Sequence, residues 1–211
     1  MGYADKTVSR ERLPVDERRA RLLEVGRTVF ADRTPDDVSV DEIAAAAGIS
    51  KGLLYHYFRS KRGFYLAVLA DESEELLARI DRATLPATRG DPDGARAALD
   101  AYLSFAEEHR HGFGMLMRGG AADSDIAAIL DGVREAVVAR VLERLPAHEP
   151  IPLLAIALRG WVGLVERTTL EWLERGAVSR PEVVELLAAL LGATIVAAGA
   201  PLPAGIEPQQ A

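Results

Sequence analysis

Residues 39–69 read SVDEIAAAAGISKGLLYHYFRSKRGFYLAVL. Ser39 followed three residues later by Glu42 is a capping-box signature, and Val40, Ile43, Ala44 and Ala47 then set an apolar stripe along a short helix. Gly48 offers the left-handed stop that helices favour, because a residue without Cβ adopts positive φ at little steric cost. Ser50 can cap a second short helix with Leu54, Tyr57 and Phe58 on its inner face. Ser60 can cap a longer one that opens at Lys61. Two short helices joined only by Gly48-Ile49-Ser50 cross steeply, which is helix-turn-helix geometry. The second helix of such a pair offers its outer face to a DNA major groove.

That outer face is Lys51, Gly52, Leu53, Tyr55 and His56. Lys51 can meet phosphate or the acceptor edge of guanine, and Leu53 can sit against a thymine methyl. Gly52 lets backbone come close to DNA. Tyr55 and Tyr57 carry hydroxyls for phosphate oxygens. Ser39, Ser50 and Lys61 stand at helix starts, where free N–H groups favour anions. Each residue also has a plainer use. Phe58 and Tyr57 suit a core, the two serines suit simple capping, and Lys61 suits a solvated surface.

Outward from this segment the chain reads as helices. Residues 16–31 carry Leu22, Leu23, Gly26, Val29 and Phe30 at helical spacing, with arginines between them. After 84, helices are predicted at 93–109, 112–118, 124–145, 151–176 and 180–199, separated by glycine and proline punctuation. Ser179-Arg180-Pro181-Glu182 is a second capping box. The fold class is therefore all-α, about nine helices, with a three-helix head at 15–62 and a helical body at 63–200. A disordered arm (1–14) and tail (201–211) are expected at the ends.

Composition narrows the function. With 49% hydrophobic and 27% charged residues, the chain can bury a substantial core. The net charge of −7 argues against a wholly nucleic-acid-coating protein, yet it is unevenly spread. Residues 1–65 hold 12 Lys and Arg against 10 Asp and Glu, while the remainder holds 13 against 22. A mildly basic head on an acidic body suits contact with phosphate at one end only. The absence of cysteine excludes disulfides and thiolate metal sites, and with a polar N-terminus it fits a cytoplasmic protein. No apolar run is long enough to cross a bilayer unbroken. Neither a phosphate loop, a nucleophile elbow, a dinucleotide glycine motif nor a metal cluster is present, so no enzyme and no cofactor is expected.

The segment resembles the DNA-binding part of the TetR/AcrR repressor family. The residues that carry the likeness are Ser39, Ile43-Ala44, Ala47-Gly48-Ile49-Ser50, Leu54-Tyr55, Phe58 and Ser60-Lys61. It departs from the usual pattern in the loop 32–37 and in having Leu53 where Thr or Ser is common. The resemblance implies DNA contacts at Ser39, Ser50, Lys51, Gly52, Tyr55, His56, Tyr57 and Lys61. It also implies an inducer cavity and a homodimer formed by the last two helices, bound to palindromic double-stranded operator DNA and released by a small-molecule effector.

The body is compatible with both. The helix at 180–199 is apolar around most of its circumference, so it needs cover on more than one side. Leu158, Trp161, Val165, Val184, Leu187, Leu191 and Ile195 are the expected dimer interface. Tyr102, Phe105, His109, Phe113, Met117, Trp161 and Glu166 are the expected cavity lining, between helices 93–109 and 151–176, although such a stripe is more often plain core. Helix 61–84 is the expected lever between effector and DNA. A small-molecule carrier without DNA binding, or an activator, stays open as an alternative.

Overall fold

In the computed structural model the helices start where the capping residues predict. The structure describes residues 14–85, 87, 91–119, 123–145 and 151–201, with the backbone alone at 92, 118 and 119. Apart from Pro14 and Pro201, the expected arm and tail lie outside these. Among the described residues there are nine α-helices: α1 (Val15–Phe30), α2 (Val40–Ala46), α3 (Lys51–Phe58), α4 (Lys61–Thr84), α5 (Pro92–Glu108), α6 (Arg110–Gly119), α7 (Ser124–Arg144), α8 (Pro152–Arg175) and α9 (Arg180–Ala197).

Most starts have a side-chain cap. Ser39 Oγ accepts the Glu42 N–H at 3.1 Å, Ser50 Oγ that of Leu53 at 3.2 Å, and Ser60 Oγ that of Gly63 at 2.8 Å. Asp91 and Asp123 cap α5 and α7 in the same way. Ser179 gives both its N–H and its hydroxyl to the Glu182 carboxylate, at 2.8 and 2.7 Å. Gly48 (φ 63°) and Gly176 (φ 59°) end α2 and α8 in the left-handed region.

One cap goes beyond the sequence reading. The loop 32–37 contains a short 3-10 turn, Pro35–Asp37. Asp37 Oδ2 accepts the Thr34 N–H at 3.0 Å and its hydroxyl at 2.6 Å. Thr34 and Asp37 have the spacing of a capping box, with aspartate standing for glutamate. A second difference lies at α6, which begins at Arg110 and runs through Gly112, so that glycine is not the break.

The described residues divide into two compact units, one of residues 14–30 and 34–68, the other of 31–33 and the described residues from 69 onward. The division falls inside α4, which supplies residues to both. The first unit packs α1 to α3 and the start of α4 around Leu22, Leu23, Phe30, Val38, Ile43, Leu54, Phe58, Phe64 and Val68. Burying each such side chain is worth about 1.5–3 kcal/mol. Gly26 lets α4 close on α1: a Cβ there would stand 2.4 Å from Val68 Cγ2 and 2.7 Å from Phe64 Cζ.

The second unit is built on α8, packed between α7 and α9, with α5 laid against α9. Its core includes Leu103, Leu154, Leu158, Trp161, Leu187 and Ile195. Arginine clasps reinforce the helix pairs: Arg96 to Glu185 and Arg180 to Asp100 and Glu107 join α5 to α9, and Arg159 to Glu135 joins α7 to α8. None of the described helices is long and apolar enough to cross a membrane.

Candidate functional site

Two sites emerge, one in each unit. In the first, Leu54 and Phe58 are buried and hold α3 against α1 and α4, so the opposite side of α3 faces out. Lys51, Gly52, Tyr55 and His56 are exposed there, while Leu53 and Tyr57 are half-buried at its margins. The His56 and Tyr57 rings meet edge to face, their centroids 5.5 Å apart. Ser39 and Ser50 are exposed, each with its oxygen used as a cap. The earliest N–H groups of α2 and α3 have no partner within their helices, and a helix start of this kind favours an anion.

Two lysines are less free than the sequence suggests. Lys51 Nζ lies 2.6 Å from the Asp41 carboxylate. Lys61 Nζ donates to the Val38 carbonyl at 3.0 Å, so it ties α4 to the loop before α2. An ammonium carries three donors, and one such bond leaves two for other partners.

The second site is a cavity of about 950 Å³, at the upper end of the range for small-molecule sites. Its walls come from the end of α4 (Leu76, Ile80), α5 (Ala95, Leu99, Tyr102), α7 (Val133, Val137, Val141), α8 (Trp161, Val162, Val165) and α9 (Ala188, Gly192, Ile195). Charged groups on the wall are matched within the protein. Glu166 accepts two bonds from Arg134 at 2.9 and 3.0 Å, and Asp81 two from Arg140 at 2.7 and 2.8 Å. Those bonds hold the Asp81 carboxyl below the usual carboxylate range. The Tyr102 hydroxyl is buried without a hydrogen-bond partner, and burial pushes its pKa up. Thr169, close by, gives its hydroxyl to the Val165 carbonyl at 2.8 Å.

Of the seven expected lining residues, Tyr102, Trp161 and Glu166 line this cavity and four do not. Phe105 packs with Leu76 and Ile80, and its ring stacks on His109 at 4.3 Å. His109 Nδ1 lies 2.9 Å from the Phe105 carbonyl. Phe113 belongs to the core of the second unit, and Met117 packs against that core. The walls that sequence reading missed are α7, α9 and the end of α4. The α7 stripe Val133, Val137 and Val141, with Leu145 just after it, was legible as a four-residue repeat.

The expected dimer residues face inward within the single chain. Leu158, Trp161, Val165, Val184, Leu187, Leu191 and Ile195 are all buried in the chain's own core. The apolar residues that α8 and α9 leave exposed are Leu153, Ile156, Leu164, Leu186 and Val196. Gly160 and Gly163 share the exposed side of α8.

Comparison with known proteins agrees with this arrangement. Residues 22–68 match the family described as bacterial regulatory proteins, tetR family, and residues 93–194 match the tetracyclin repressor-like C-terminal domain. The chain is 33% identical to the transcriptional regulator AcuR of Cereibacter sphaeroides over 172 residues, which cover 71% of this chain and 75% of AcuR. It is 40% identical over 105 residues to the transcriptional activator FasR of Mycolicibacterium smegmatis, covering 50% of this chain. That match spans about half of FasR, 48% of its length. The crystal structure of a tetR-family transcriptional regulator from Streptomyces coelicolor is similar at a TM-score of 0.78 and 35% identity, covering 89% of this chain and 84% of that one.

Proposed function

We propose a function on the premise that this chain belongs to the TetR family of bacterial transcriptional regulators. It is a regulator and not an enzyme. Our reading is that it binds a palindromic operator as a homodimer, represses transcription there, and is released by a largely apolar effector held in the body. The observation that carries this is the exposed face of α3, with Lys51, Gly52, Tyr55 and His56 turned out of a packed head. A protein that had only to carry a small molecule would have no use for it.

The exposed apolar residues of α8 and α9 support the homodimer, since a second copy laid on these two helices would cover them. A twofold assembly repeats the reading helix at roughly 34–36 Å, one turn of DNA. That spacing is the reason for a palindrome. The cavity supports an effector whose body is apolar, because its charged groups already satisfy one another. An effector acts only if it binds the two states of the protein unequally. α4 is the element through which we expect the change to pass, because it contributes both to the head's core and to the cavity wall.

The likeness to FasR, an activator, favours activation as the second reading. Genome-wide mapping of bound DNA, followed by a gel shift and a reporter on the recovered promoters, tests all of this. Lys51→Ala and Tyr55→Ala should abolish the shift and leave the oligomeric state unchanged. An unaltered shift refutes the contact face, and a reporter that falls on deletion of the regulator replaces repression by activation.

A further inference from the structure

Arg59, at φ 60°, is the one non-glycine residue with positive φ among the described residues. It ends α3, and its N–H donates to the Tyr55 carbonyl at 2.9 Å. L-residues reach this region at a cost, and helices commonly put glycine at such an end. The neighbours force the conformation. The Ser60 N–H donates to the Phe58 carbonyl at 2.6 Å, Ser60 caps α4, and the Lys61 ammonium holds the Val38 carbonyl. A Cβ at Gly63 would stand 2.4 Å from the Phe58 carbonyl oxygen, so the turn has no slack. Glycine would suit position 59 better than arginine does. Strain of this kind persists where the surrounding structure over-determines it, and it clusters at functional sites.

The surroundings point to that use. The Arg59 side chain is exposed and makes no hydrogen bond or ion pair among the described residues. Arg19 of α1, also exposed and without a carboxylate partner among them, stands with its guanidinium carbon 5.7 Å from the centroid of Phe58, the residue before Arg59. In the second unit, Arg79, Arg82, Arg96, Arg134, Arg140, Arg159, Arg167, Arg175 and Arg180 pair with carboxylates. Lys61, at the start of α4, is tied to Val38.

Resting on the reading of α3 as the DNA-reading helix, we propose that Arg59 and Arg19 together form a seat for a backbone phosphate of double-stranded DNA. It lies at the opposite end of α3 from Lys51. Eight helical residues span about 12 Å, close to the width of the major groove. The two ends of α3 are therefore far enough apart to reach different phosphates of the groove. Were Arg59 only a cation answering the helix dipole, Arg59→Gly would lower the thermal midpoint and leave DNA binding untouched.

The test is a salt series of fluorescence-anisotropy titrations. It uses a duplex that the wild-type protein selects from a random pool, and a scrambled duplex. Arg59→Gly should leave the thermal midpoint equal or higher, weaken both duplexes by a similar factor, and lower the salt slope by about 0.9. Arg19→Gln should lower the slope likewise, and Arg59→Lys should restore it. A wild-type slope in Arg59→Gly, with wild-type binding intact, overturns the seat alone. Failure of the wild-type protein to select any duplex overturns the regulatory reading and the seat with it.

Discussion

Lys51 at the start of α3 holds its ammonium 2.6 Å from the Asp41 carboxylate at the start of α2. Both side chains are more than half exposed, at 54% and 72%. A pair so wet is worth at most about 1 kcal/mol, so a DNA phosphate can take the place of Asp41. Asp41→Asn should then strengthen binding by about two- to fivefold at low salt, the factor that such a pair is worth. Anisotropy titration of the selected duplex measures it, and unchanged or weaker binding would mean that Lys51 does not exchange partners.

Gly26→Ala sets two effects against each other. Alanine in a helix is favoured over glycine by about 1 kcal/mol. The new Cβ, however, would stand 2.4 Å from Val68 Cγ2 and 2.7 Å from Phe64 Cζ inside a packed core. Overpacking costs about 1–3 kcal/mol, so the substitution should destabilise the head on balance. Chemical denaturation followed by circular dichroism decides it, a gain in stability being the contrary result.

Leu186 and Leu187 are neighbours on α9 with opposite fates, 52% and 0% exposed. Leu186→Glu should leave the fold intact and lower the mass seen by sedimentation from dimer to monomer. Leu187→Ala should cost about 2–5 kcal/mol of stability, since it empties a filled core position. A Leu186→Glu protein that stays dimeric would remove α9 from the interface.

Ala188 is half-buried on the cavity wall. Ala188→Phe should fill part of the cavity and leave operator binding unchanged. Release of that variant from DNA by effector-containing cell extract should fail where the wild type is released. Equal release of both proteins would move the effector site elsewhere.

Asp81 gives a pH signature. Arg140 holds its carboxyl below the usual range, chiefly through two hydrogen bonds. A carboxyl depressed in the folded state stabilises that state above its unfolded pKa, near 3.9, and the contribution is lost as pH falls through the folded value. Asp81→Asn should therefore lower the thermal midpoint at neutral pH, and its curve should converge with that of the wild type below about pH 4. Parallel curves down to acid pH would show that the pair contributes nothing through ionisation.

The head was legible because its signals are local. Ser39, Gly48, Ser50 and Ser60 act on backbone groups within three residues, and Leu54 and Phe58 report the inner face by spacing alone. The Thr34–Asp37 box is harder to see although its spacing is present, because aspartate takes the place of the usual longer acid.

The body was less legible, for a reason α9 makes plain. Both Leu186 and Leu187 are leucines, and a helix apolar on every side carries no mark of which side meets its own chain. Composition and capping settled that the chain is helical and where most of its helices begin, since those depend on bonds between near neighbours. Packing of α5, α7 and α8 against α9 decided which apolar residues are core, which line a cavity and which stay exposed, because that partition depends on contacts between residues far apart in the chain.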